Sequence, residues 1–183
     1  MNIFYLHNDT KLCAEQHVDK HVVKMIVEYA QLLSTAHRMI DGVQYAAKSK
    51  TGRNVKRFRL ENNNLDNIVY KAVHYHHPSA VWARETKMQY LWLYDLFKKL
   101  GQEYTHRYGK RHKSQAVIEW CIINLPNIPE VGYMTEQPKA MPDECKTDDV
   151  VEKDDKRSSF KGRKKFKKRQ RPKKFSFKKH KKK

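Results

Sequence analysis

Residues 17 to 28 read HVDKHVVKMIVE, and the ionisable side chains His17, His21, Lys24 and Glu28 recur at spacings of four, three and four. An α-helix turns about 100° per residue, so these four fall within about 60° of one another on its circumference. Val18, Val22, Met25, Tyr29 and Leu32 flank the line on one side, and Val23, Val27 and Ala30 on the other. A solvated helix face is broad, with its apolar residues gathered opposite. Here a narrow ionisable stripe runs between two apolar flanks. A carboxylate beside two imidazoles and an ammonium can serve as a general acid or base, because proximity draws each pKa toward neutrality. The same residues also suit an ordinary helix surface with an i,i+4 Lys24–Glu28 pair.

His17 and His21 share the i,i+4 spacing of a zinc helix. The glutamate of the HExxH pattern is missing between them, where Val18, Asp19 and Lys20 stand, and Lys24 on the same face repels a cation. No metal and no cofactor is therefore expected.

Two cationic stretches suit phosphate. The segment KSKTGRNVKRFR carries Lys48, Lys50, Arg53, Lys56, Arg57 and Arg59 and no acid. The segment THRYGKRHKS carries His106, Arg107, Lys110, Arg111, His112, Lys113 and Ser114 at the junction of two expected helices. There Ser114 and the amides of a new helix could meet a phosphate. His74, His76 and His77, with Arg84 and Glu85 beyond, make a third cluster.

The charge of the 183-residue chain is very uneven. Residues 153–183 hold 18 Lys/Arg against 2 Asp/Glu, whereas the other 152 hold 21 against 18. Such a tail buries too little apolar surface to offset its ordering entropy, which implies a disordered polycation over 151–183. Its natural partner is nucleic acid. Phe160, Phe166, Phe175 and Phe177 interleave with the charges and suit stacking on unpaired bases. No apolar run is long enough to span a bilayer, and MNIFYLHND lacks the basic and apolar regions of a signal peptide. Three separated cysteines in no CxxC pair suggest neither disulfides nor a thiolate site, which fits a reducing cytoplasm.

The elements that must hold these groups read as mainly α: a compact helical domain over 1–150 with a short N-terminal extended segment. NIFYL is a small strand or extended lead-in, and Asp9 or Thr10 is a candidate N-cap. One long helix is expected over 11–40, ending where Gly42 takes the left-handed position. Residues 43–63 read as a loop. Pro78 opens a helix after an extended His77. The stretch 79–108, one helix or two abutting ones, puts Trp82, Gln89, Leu93, Leu96 and Leu100 on a core face and ends at Gly109. Ser114 can cap a further helix, QAVIEWCIINL.

Taken in order, DKHVVKMIVEYAQLLSTAHRMIDG, HPSAVWARET, YLWLYDLF, EYTHRYGKRHKS, PNIP and KAMPDE resemble a family of small proteins from tailed bacteriophages. More remotely, NIFYL with LCAEQHV, HPSAVW and RYGKRHKS are similar to the pyrimidine-dimer DNA glycosylases, compact helical repair enzymes. That resemblance implies a mechanism in which the N-terminal main-chain amine attacks the sugar C1′ and a first-helix carboxylate assists strand cleavage. An α-amine suits the role because its pKa is low, roughly 7.7–8.0. The amine here is that of Met1, or of Asn2 once Met1 is removed. Alignment on Gln16-His17 puts Lys24 near the family glutamate, with Glu28 one turn later, and His17 in the best-matched position. The implied reading is a phage DNA glycosylase/AP lyase working on double-stranded DNA in the host cytoplasm. The candidate catalytic residues are Met1, Asn2, His17, His21, Lys24 and Glu28, and His77 and Arg84 join the two cationic stretches on the DNA. The sequence leaves oligomeric state open. A non-catalytic nucleic-acid-binding accessory protein and a metal-dependent nuclease are the alternatives.

Overall fold

Asp9 starts the first helix: its carboxylate accepts from the backbone N–H groups of Lys11 and Leu12, each at 2.9 Å. The computed structural model describes residues 1–139, and the expected basic tail lies outside them. Where one helix over 11–40 is expected, two are found, α1 (Thr10–Glu15) and α2 (Asp19–Ile40). The break is held from outside. The Arg107 guanidinium donates to the Glu15 carbonyl at 2.8 Å and to the His17 carbonyl at 2.7 Å. Those oxygens thus gain the partners that a continuing helix would have supplied. Apolar periodicity carries no record of such a long-range donor.

Helix α2 buries Val22, Met25, Ile26, Tyr29, Leu32, Leu33 and Ala36. Against it packs the last long helix of the core, Lys87–Tyr108, with Tyr90, Leu93, Leu96, Phe97 and Leu100 fully buried. Each such aliphatic or aromatic side chain contributes roughly 1.5–3 kcal/mol on leaving water. Gln89, Leu93, Leu96 and Leu100 lie inside on one face of that helix, as expected, and Trp82, also buried, belongs to the separate helix Pro78–Trp82.

Gly42 follows α2 but does not take the left-handed conformation expected of it. Its role is spatial: a Cβ there would lie 2.3 Å from the Arg38 carbonyl oxygen. Residues 43–59 then correct the loop reading. They form an antiparallel hairpin, β1 (Val43–Lys48) and β2 (Asn54–Arg59), in register from Val43 opposite Arg59 to Lys48 opposite Asn54. The turn closes through the Gly52 N–H to the Ser49 carbonyl at 3.0 Å, with Gly52 at φ +77°. Lys56 on one face of β2 and Arg57 and Arg59 on the other mask the strand pattern in the sequence, and β1 is largely exposed.

Helix α3 (Asn63–Ile68) is capped by Asn62, and α4 (Pro78–Trp82) by His77 with Pro78 in its first turn. Helix α5 is Lys87–Tyr108, so 79–108 resolves into two helices, and Gly109 at φ +64° ends the second. A single 3-10 turn over Lys113–Gln115, capped by His112 rather than Ser114, leads into α6 (Ala116–Ile123). The described chain is mainly helical with one small sheet. Among the described residues no helix is long and apolar enough to cross a membrane.

Candidate active site

The N-terminal segment forms neither strand nor helix; it is laced onto α1 and α2 by its backbone. The Phe4 N–H donates to the Tyr29 hydroxyl at 3.2 Å, and the Cys13 thiol donates to the Phe4 carbonyl at 3.3 Å. The Leu6 N–H reaches the Cys13 sulfur at 3.4 Å, and Ile3 is buried. This lacing delivers the first two residues to α2. The Asn2 N–H donates to Glu28 Oε2 at 3.0 Å.

Glu28 is shared. Its other oxygen, Oε1, lies 3.4 Å from Lys24 Nζ, and the carboxylate side chain is only 16 % exposed against 69 % for the lysine. On the far side stands α4. The Ser79 hydroxyl donates to Asn2 Oδ1 at 3.3 Å, and the Ser79 N–H donates to His77 Nδ1 at 3.2 Å. Because Nδ1 accepts, the neutral imidazole carries its proton on Nε2. Burial holds the His77 pKa below its ordinary value, assisted by the positive N-terminus and His74, while Glu28 opposes the shift. Chain start, Glu28 and His77 therefore share one electrostatic neighbourhood.

His17 is not on the stripe. It precedes α2, with Val18 as the N-cap, and its ring is buried beneath the N-terminal segment. Its Nδ1–H donates to the Cys13 carbonyl at 2.6 Å, so Nε2 accepts from the Tyr29 hydroxyl at 3.0 Å. Tyr29 in turn accepts from Phe4. Burial pulls the His17 pKa down to about 4, leaving a neutral ring in a directed chain of hydrogen bonds. It supports the segment that carries Asn2 rather than facing a reactant. His21 is partly exposed, its ring 4.8 Å from that of Phe4.

Of the predicted residues, Met1, Asn2, His21, Lys24, Glu28 and His77 thus lie along the path of the N-terminal segment. Lys48, Lys50, Arg53, Lys56 and Arg59 are exposed on the hairpin, with Arg57 half-buried. His106, Lys110 and Lys113 are exposed at the end of α5 and the turn after it. Several others are committed to partners in the fold, of which Arg107, Ser114 and Arg84 are turned inward while Arg111 stays exposed. Arg107 bonds Glu103 and Asp19 as well as the two carbonyls of the helix break. The buried Ser114 hydroxyl meets the Tyr70 hydroxyl at 2.9 Å, and Arg84 donates to the Ala80 carbonyl at 2.7 Å. Arg111 pairs with Glu119, and His112 caps its own turn by accepting from the Ser114 N–H. Their charge is spent within the fold, and proximity in sequence did not foretell it.

Sequence reasoning missed Ser79 and Tyr29 as parts of this arrangement. Ser79 reaches Asn2 across 77 positions, which HPSA alone does not signal. For Tyr29 nothing local signals it. Among the described residues no three His, Cys, Asp or Glu side chains are grouped as a metal ion would require. No family model, curated protein or solved structure matches this chain.

Proposed function

We propose that the chain is a DNA glycosylase/AP lyase in which a main-chain amine is the nucleophile and Glu28 the acid–base group. The observation that carries this reading is the 3.0 Å approach of the Asn2 nitrogen to Glu28 Oε2. With Met1 removed, that nitrogen becomes an α-amine whose proton Glu28 is placed to accept. The lone pair attacks C1′ of a flipped-out nucleotide as the glycosidic bond breaks, and the base leaves with the bonding electrons and a proton. Ring opening yields a Schiff base. Removal of a C2′ proton then expels the 3′ phosphate. Glu28 is the nearest base for that step, and Lys24 and His77 flank it with groups suited to phosphate and sugar oxygens. Flipping costs a few kcal/mol. The exposed cations of the hairpin, with those of 106–113 and the basic tail, supply the sequence-independent attraction to DNA.

The test joins mass spectrometry of the mature N-terminus to borohydride trapping on duplexes holding an abasic site or a pyrimidine dimer. The expected result is a chain beginning at Asn2 and a covalent adduct at that residue. A free α-amine with no adduct and no incision between pH 5 and 8 would remove the lyase mechanism. The second reading, an accessory DNA-binding protein, is favoured by the inward commitment of Arg107 and Ser114, which removes them from a substrate-facing surface. It predicts salt-dependent binding that largely vanishes without residues 153–183, and no adduct.

A further inference from the structure

The hairpin is cationic along its whole length. An isolated two-stranded ribbon is marginal in water. This one is anchored at its base, where the Phe58 carbonyl accepts from Arg38 at 2.7 Å and the Phe58 ring meets Tyr75 edge-on at 5.7 Å. Beyond that base four paired positions project, with Ala46, Lys48, Asn54 and Lys56 exposed on one face and Ala47, Val55 and Arg57 half-buried on the other. Between Val43 and Leu60 there are six Lys/Arg and no acid. The register sorts them. One face carries Lys48 and Lys56 with Ala46 between, and the other carries Tyr45 with Arg57 and Arg59, the Arg59 guanidinium lying 5.3 Å from the centre of the Tyr45 ring.

We infer that this ribbon is a groove-entering arm that lies in the major groove of B-form DNA. The inference rests on the reading of the chain as a DNA-binding protein. Two strands about 4.8 Å apart, with short Ala46 and Ala47 near the middle, fit a groove about 12 Å wide, which admits a two-stranded ribbon, whereas the minor groove at about 6 Å does not. Lys48 and Lys56 on the exposed face, with Lys50 and Arg53 at the tip, then meet the phosphates of the groove walls. The arm is also tied to the candidate active site. Tyr75, which receives Phe58, belongs to the turn closed by the His77 N–H and the His74 carbonyl at 2.8 Å, and His77 stands beside Glu28 and the chain start. A ribbon seated in the groove therefore registers the duplex relative to that site. Double-stranded RNA, with a deep and narrow major groove, does not admit the arm.

Two measurements on the full chain test this. The first compares the salt dependence of duplex binding for the native protein and for K48Q/K50Q/R53Q/K56Q, four exposed changes that leave the Arg38 and Tyr75 anchors in place. The expected drop in the slope of log K against log salt is about 3 to 4, at about 0.9 per phosphate contact. The second places a thiol at the tip by T51C in a C145S background, and seeks disulfide trapping with a duplex carrying a tethered thiol. Trapping with the tether on cytosine N4, in the major groove, and none with it on guanine N2, in the minor groove, is expected. An unchanged slope, minor-groove trapping, or an equal slope loss on duplex RNA would overturn the groove assignment while leaving DNA binding intact. A native protein without salt-dependent duplex binding would instead overturn the functional reading beneath it.

Discussion

The nitrogen of Asn2 and Oε2 of Glu28, 26 positions apart in the chain, meet at 3.0 Å. The stripe that first drew attention to Glu28 is a helix-surface pattern; its significance comes from a segment on another part of the chain arriving over it. Glu28→Gln keeps an acceptor for the Asn2 N–H and removes the base. Incision and borohydride trapping should fall at least about a hundredfold, with the denaturation midpoint little changed. Equal loss of both activity and stability would make Glu28 a structural residue.

Tyr29→Phe removes the hydroxyl that joins His17 to the Phe4 N–H. Two buried polar groups lose their partner, at a cost of about 1–3 kcal/mol in urea unfolding. The N-terminal segment loosens as well. On the proposed function, the expected signature is a fall in kcat larger than the change in KM, because the exposed cations proposed to bind DNA are untouched.

His17 and His37 should give the fold a common acid sensitivity. Burial lowers both pKa values to about 4. For His37 the geometry agrees: Tyr90 donates to the Cys121 carbonyl, so His37 Nε2–H donates to Tyr90 and Nδ1 is left with no hydrogen-bond partner. The unfolded chain, near pKa 6.5, takes up these protons before the folded one does. Stability is therefore full above about pH 6.5 and falls as pH drops toward 4, by about 3 kcal/mol for each histidine. Urea midpoints between pH 4 and 7 should show this slope, and His17→Gln should remove about half of it.

Arg38→Ala should be among the most damaging single changes. This guanidinium is 5 % exposed and donates to the carbonyls of Phe58, Asp66, Val69 and Tyr70 and to the Asp66 carboxylate. Loss strands buried acceptors and an acid, costing about 3–5 kcal/mol. Arg38→Lys recovers little, since an ammonium cannot span the fork.

Gly42→Ala should cost about 1–3 kcal/mol in the same unfolding assay, because the new Cβ meets the Arg38 carbonyl, a backbone atom that cannot swing aside. Gly52→Ala meets open space at φ +77° and should cost about 1 kcal/mol.

What could be read from the residues alone followed from local rules. Asp9 as a cap, Pro78 opening a helix, Gly109 closing one and the buried face from Gln89 to Leu100 all depend on neighbours within a turn or two. The misreadings share one cause. The break at 16–18 depends on Arg107, some ninety residues away, and the inward turn of Ser114 depends on Tyr70. The hairpin leaves no apolar alternation in the sequence because cations fall on both faces of β2 and β1 is largely exposed. In the candidate site, Glu28 and His77 were visible as chemistry, while Ser79 and the support by Tyr29 were visible only as geometry.

The lacing of residues 2–6 has a consequence for the order of events in folding. Every partner that fixes them, from Cys13 through Glu28 and Tyr29 to Ser79, lies further along the chain, on elements that must form first. Closing that long loop is entropically costly until α4 exists to receive it. The Asn2 nitrogen is thus among the last groups seated, and a partly folded molecule holds it apart from the Glu28 carboxylate.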